Sequence, residues 1–217
     1  MATSNANKGH CYLCGQELAK ASMQKHLTAK HAGEENGQEC FLLKVESEDA
    51  DHWLFVDIAA SSTLSALDRF LRKIWLECCG HLSMFYLPGR YGDRVGMSTK
   101  IDSLGTGVTL MYDYDFGSET TLKIKFIKKM FRPAQRSVVR LLARNDPYEY
   151  ACCKCGEPAE YVDAGAWPPE LYCESCAENL DDGYLLPVVN SPRMGVCGYT
   201  GEFDTFEYRP SENPKGE

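Results

Sequence analysis

The sequence predicts an α+β protein: a central mixed or antiparallel sheet carrying one main helix, with a small cysteine-anchored module at each end. Three observations lead there. Leu64, Leu67, Phe70, Leu71, Ile74, Trp75 and Cys78 recur at spacings of three and four, the stripe of a helix buried on one side. Leu122, Ile124 and Phe126 alternate with Lys123 and Lys125, the period of a half-buried strand. Paired Cys-x-x-Cys motifs bracket this middle region. At 217 residues, with 44% hydrophobic and 11% aromatic content, the chain can bury one sizeable core and two small modules.

The first module spans residues 1–32. Cys11 and Cys14 are followed by His26 and His31, a set that can surround one Zn²⁺ tetrahedrally. Leu18 and Met23 supply the small apolar core such a module needs. The spacing resembles the C₂H₂ zinc finger family, with a Cys-to-His gap one residue shorter than the common pattern. In DNA-reading fingers, bases are contacted from helix positions −1, 3 and 6, which here are Ala19, Ser22 and Lys25. Ala19 has no donor, Ser22 does not discriminate, and Lys25 suits guanine or phosphate alike. The module is expected to dock or to support structure, not to read sequence.

A polar linker at 33–38 leads to the core domain, 39–150. Phe41–Val45 and Trp53–Ile58 read as strands. Ser62 or Thr63 caps the main helix, and Gly80 ends it. His81–Leu87 returns as a strand, Pro88–Gly92 turns, and Val108–Ser118 alternates in part. The stretch Arg136–Arg144 favours a strand through Val138 and Val139, although Pro133 also suits a first helical position.

The second module, 151–182, pairs Cys152 and Cys155 with Cys173 and Cys176 across a loop of seventeen residues. Two such knuckles on one ion form a Cys₄ zinc ribbon. Gly15 and Gly156 follow the second cysteine of each first knuckle, where backbone N–H groups must turn toward sulfur. The cofactor expectation is two structural zinc ions, because four protein ligands leave no position for water or substrate. Cys40, Cys78 and Cys79 read as core thiols. Cys197 lies between glycines in a packed turn, with a reactive thiol as the alternative. Residues 183–217 are expected to pack on the core and to end in disorder.

The middle also carries longer motifs: Thr63-Leu64 at the helix start, His81-Leu82 with Phe85, and Tyr114-Asp115-Phe116-Gly117. Over about residues 40 to 130 these resemble the Ri-plasmid ORF-three-like family, met as passengers of insertion elements. The tail from Leu186 to Gly201 is similar to a branch of that family with a Cys-x-x-Cys insertion. The resemblance implies an α+β domain, mobile-element or defence neighbourhoods and no established reaction. Ser83 and Ser118 stand where the family has a second histidine and an acid.

The formal net charge of −8 hides a segregation. Lys123, Lys125, Lys128, Lys129, Arg132, Arg136, Arg140 and Arg144 run without an intervening acid, and the remaining chain holds fifteen basic and thirty-one acidic residues. With Lys25 these eight form the expected nucleic-acid contact, a basic ridge attracting phosphate. A solvated or protein-binding face is the alternative. No run of eighteen apolar residues and no leading hydrophobic region occur, so a cytoplasmic protein without membrane contact is expected. Asp102, Asp113, Asp115 and His81 are the polar candidates for chemistry, but no nucleophile motif, phosphate loop or small-molecule site accompanies them, and no catalytic residue is assigned. The preferred function is a zinc-stabilised adaptor binding a protein or nucleoprotein partner without turnover. The alternatives are a nucleic-acid-binding regulator linked to mobile elements or defence, and an enzyme with its site on the core.

Overall fold

Strands dominate the chain. A computed structural model describes residues 8–89, 92–133, 137–180 and 182–201. Nine strands build one antiparallel sheet: β1 (Lys8–Cys11), β2 (Glu17–Ala19), β3 (Gln38–Ser47), β4 (Trp53–Ala59), β5 (Ser83–Tyr86), β6 (Arg94–Val95), β7 (Thr109–Tyr114), β8 (Thr120–Arg132) and β9 (Val139–Asn145). Their spatial order is β2-β1-β9-β4-β3-β8-β7-β5-β6. A smaller sheet joins β10 (Tyr161–Asp163), β11 (Glu170–Tyr172) and β12 (Leu185–Pro187). Four short α-helices complete the described elements: α1 (Lys20–Lys30), α2 (Leu64–Leu71), α3 (Ile101–Leu104) and α4 (Glu174–Ala177).

The expected α+β class is therefore corrected to mostly β, with only 17% of the described residues helical. The predicted helix running to Gly80 stops early. After α2 the chain widens into a π turn at Arg72–Leu76 and leaves helical geometry at Glu77. Arg72 explains the exit. Its guanidinium is held by Asp68 (3.1 Å), Glu77 (2.8 Å), the His81 carbonyl (2.7 Å) and Ser83 (2.9 Å). The last three draw the chain back toward β5 instead of along the helix axis.

Both faces of the central strands are covered, which is why β4 is buried at every residue. On one face α2 and the π turn set Leu64, Leu67, Leu71, Ile74 and Trp75 against Val45, Val56, Tyr112 and Ile124. On the other, α1 sets Met23 and Leu27 against Cys40, Leu42, Trp53, Phe55 and Leu142. The first module is thus continuous with the sheet: β1 pairs with β9 in the register Gly9↔Asn145, His10↔Arg144, Cys11↔Ala143. A methyl group on Gly9 would lie 1.9 Å from the Arg144 carbonyl oxygen, so glycine is what lets these strands approach.

Candidate metal centres

The first centre sits where the β1–β2 hairpin meets the end of α1. Gly15, at φ 77°, turns the knuckle so that its N–H reaches the Cys11 carbonyl (2.7 Å). Cys14 Sγ lies 3.3 Å from His26 Nε2, and His31 Nε2 lies 3.2 Å from His26 Nε2. With Cys11 Sγ, all four ligand atoms fall within 4.8 Å of one another. Tetrahedral zinc at ordinary bond lengths sets its ligands about 3.3–3.8 Å apart, so the cluster fits the ion. Burial, with Lys30 nearby, lowers the His26 pKa; burial, His26 and Arg140 lower that of His31. Both imidazoles are kept neutral, the form a metal requires. Burial pushes the Cys11 thiol up to about 11, so a cation must drive its ionisation.

The second centre repeats the knuckle. Gly156, at φ 82°, donates to the Cys152 carbonyl (3.0 Å). Cys155 Sγ lies 3.5 Å from Cys173 and 3.7 Å from Cys176, again tetrahedral edges. Cys173 precedes α4, so Cys176 returns on its first turn. Burial would raise the Cys152 pKa, but N–H groups of Cys173, Cys155 and Lys154 outweigh it and hold the thiol at about 6. The eight expected ligands are therefore gathered into two sets of four, each compatible with a metal. Cys153 stays outside the set and exposed, as its spacing to Cys155 implied.

A third set was missed. Cys78, Cys79, His81 and Cys197 bring four ligand atoms within 4.8 Å. The expectation of core thiols fails for Cys79, which is exposed, and for the half-buried Cys78. The signal in the sequence was the Cys-Cys-Gly-His run, whose fourth partner is more than a hundred residues away. His10, Glu17 and Asp146 also cluster, but Lys8 already pairs with Glu17 at 2.9 Å.

The eight basic residues do not make one ridge. A bulge in β8 opposite Leu42/Leu43 brings Lys128 onto the face of Lys123 and Lys125, and all three are exposed. Lys129 faces the other way and pairs with Glu39 (2.9 Å) and Asp102 (3.5 Å). Arg132 is fully buried and pairs with Asp57, which Arg140 also holds through Nε at 2.9 Å. A second bulge, in β9, puts Arg144 on the opposite face from Arg140; Arg144 is buried and donates to the Asn190 carbonyl (2.6 Å). Arg136 lies outside the described residues. Lys25 is exposed on α1, beside the exposed Ala19 and Ser22.

The polar candidates for chemistry are occupied. Asp113 accepts from Tyr86 (3.1 Å) and Thr121 (2.9 Å), and Asp115 accepts from Arg193 (2.5 Å). Asp102 is exposed and pairs only with Lys129 among the described residues. No described helix is long and apolar enough to cross a membrane.

No family model matches the chain, and no curated protein matches it. Among solved structures it is similar to a protein of unknown function from Methanosarcina mazei Go1, at 16% identity and a TM-score of 0.42, over 52% of this chain and 71% of that one.

Proposed function

We propose that this chain is a zinc-stabilised binding protein that acts without turnover, holding structural Zn²⁺ at the Cys₂His₂ and Cys₄ centres and offering a surface to a protein or nucleoprotein partner. The observation that carries the reading is Trp167. It is 94% exposed at the tip of the loop between β10 and β11, next to Pro168 and Pro169, on the module that the four thiolates anchor. A solvated tryptophan on a rigid support costs little entropy on binding and is the side chain most enriched at the energetic centre of interfaces. Both centres supply four protein ligands, which leaves them closed to substrate. Within the core Asp57 and Asp115 are each held by an arginine, and Asp113 accepts from Tyr86 and Thr121. The motif resemblance to insertion-element passengers supports a partner from a mobile-element or defence context.

Capture of partners by the full chain, with and without nuclease and compared with Trp167→Ala, tests the reading. The expected result is a partner that survives nuclease and weakens at least thirtyfold on the substitution, the scale of a hot spot of about 2 kcal/mol. Capture that is lost with nuclease and indifferent to Trp167 would transfer the function to Lys123, Lys125 and Lys128 on one face of β8.

A further inference from the structure

The third cluster is built, not incidental. Cys78, Cys79 and His81 sit on the short loop between the π turn and β5, and this loop is clamped from behind. Glu77 Oε1 accepts the Gly80 N–H (2.6 Å) and the Tyr114 hydroxyl (3.0 Å), while Arg72 Nη2 donates to the His81 carbonyl (2.7 Å). Gly80, at φ 79°, reverses the chain so that His81 Nε2 comes back to 3.1 Å from Cys79 Sγ. Among the described residues nothing lies within 4 Å of where its Cβ would stand, so the requirement is for the backbone angle. The fourth member arrives from the C-terminal segment. Cys197 adopts φ 57°, a conformation rare outside glycine, and places its Sγ 3.4 Å from Cys79 and 3.5 Å from His81 Nε2. Cys78 Sγ lies 3.5 Å from Cys79 Sγ.

Behind these four groups stands a set of supports that packing would not require. Asp115 Oδ1 lies 3.4 Å from His81 Nδ1, the nitrogen turned away from the thiols. Asp115, also at positive φ (65°), is fixed by Arg193 Nη2 at 2.5 Å and by the Gly117 N–H at 3.1 Å. The same guanidinium reaches Cys78 Sγ at 3.5 Å. A carboxylate on the far nitrogen of a histidine fixes the tautomer and orients the ring toward a metal, and a cation beside a thiolate stabilises its charge. Arg193 is fully buried, so its position is set by the fold. Four of the six contacts among the ligand atoms are 3.1–3.5 Å and all six are within 4.8 Å, so a small spreading brings them to the edges of a zinc tetrahedron, about 3.5–3.8 Å.

We infer that Cys78, Cys79, His81 and Cys197 form a third metal site, which takes Zn²⁺ through three thiolates and one imidazole and fastens the C-terminal segment to the central sheet. The fastening has a clear object. Around the site Ser191 donates to the Trp75 carbonyl (2.7 Å), Arg193 donates to the Ser118 carbonyl (2.9 Å), and Tyr199 is buried. Val188, Val189, Met194 and Val196 of the segment are only half-buried, and a metal adds a cross-link to that partial burial. With four protein ligands the site is structural.

Elemental analysis of the full chain, purified under reducing, chelator-free conditions, tests this directly. Three zinc ions per chain are expected. Cys197→Ser should lose one, and so should Cys14→Ser and Cys155→Ser, each from its own centre. Loading with Co²⁺ gives an independent readout, since Cys197→Ser should lose the charge-transfer absorption of three cobalt–sulfur bonds. Should Cys197→Ser fail to fold, Cys79→Ser, which alters an exposed thiol, carries the same comparison. A wild type with the same zinc content as these two variants overturns the site, whatever the other two centres hold. Those centres are reported separately by Cys14→Ser and Cys155→Ser.

Discussion

Replacing Asp57 by alanine tests how the basic residues are disposed. Asp57 is fully buried on β4 and holds both Arg132, also fully buried, and Arg140, whose side chain is 25% exposed. Removing the carboxylate leaves Arg140 free to turn toward solvent, but Arg132 cannot follow. Arg132 Nε is bound to Gln38 (3.1 Å), and its Nη2 donates to the Ser137 carbonyl (2.8 Å) and the Val138 carbonyl (3.2 Å). An unpaired buried charge of this kind costs about 3–5 kcal/mol, a large share of the roughly 5–15 kcal/mol that holds a domain together. Denaturant unfolding of the zinc-saturated protein, followed by the fluorescence of the buried Trp53 and Trp75, measures it. The midpoint should fall with little change in slope, and added salt should not restore it, because the pair is shielded from ions. Lys129→Ala, which breaks the exposed pair with Glu39, is the control and should cost under about 1 kcal/mol. In a double-mutant cycle with Arg132→Met, the two sites should couple by more than about 1 kcal/mol. A loss under about 1 kcal/mol for Asp57→Ala would mean that Arg132 is not committed to the interior. Arg132 and Arg140 would then be available on the face of Lys123, Lys125 and Lys128, with Arg144 still on the other.

Three further outcomes are expected. Gly9→Ala should prise β1 from β9, so zinc should leave the Cys₂His₂ centre at least tenfold faster while the Cys₄ centre is unchanged; equal loss rates in a chelator competition would contradict the continuity of module and sheet. His52 is buried against Trp75 and Tyr148, and its ring nitrogens have no hydrogen-bond partner among the described residues; burial, opposed by Asp49 and reinforced by Arg144, lowers its pKa to about 4. Between pH 6.5 and 4 the unfolded chain therefore takes up a proton that the folded chain refuses, and stability should fall by about 3 kcal/mol as the pH drops through that window; His52→Phe should flatten the unfolding profile by that amount, and parallel profiles would refute the assignment. If nucleic acid binds, Lys123, Lys125 and Lys128 replaced together by Gln should reduce the log–log salt slope by up to about 2.7 on duplex DNA, and an unchanged slope in filter binding would remove β8 as the contact.

Local chemistry was legible without coordinates. Ligand identity follows from spacing over a few residues, so Cys11, Cys14, His26 and His31, and the four ribbon cysteines, could be named and were found gathered. The strands at Phe41–Val45, Trp53–Ile58 and Leu122–Phe126 followed from their alternation or apolar runs, and the start of α2 at Leu64 from its stripe, although Thr63 at the N-cap position makes no side-chain cap. What the spacing could not show was how far each pattern extends. The apolar stripe continues past Leu71, yet Arg72 finds three partners beyond the helix, in Glu77, the His81 carbonyl and Ser83, and the helix gives way to a π turn. That exit, with the β1–β2 hairpin added to the sheet edge, makes the protein mostly β where α+β was expected.

Tertiary structure alone decided the fate of the charges and of the spare thiols. A four-residue spacing keeps Arg136, Arg140 and Arg144 on one face only in an unbroken strand. A single bulge in β9 reverses the parity, sending Arg144 to one side and Arg140 to the other, where Asp57 from a strand eighty residues earlier neutralises it. No local pattern records where a bulge falls, because it is fixed by the packing of both faces at once. Cys197 makes the same point from the other end of the chain. Its neighbours in sequence describe a turn, while its neighbours in space, Cys79 and His81, describe a ligand set. Sequence determines a site when its ligands share a knuckle or a helix face. When they come from segments more than a hundred residues apart, only the fold can bring them together.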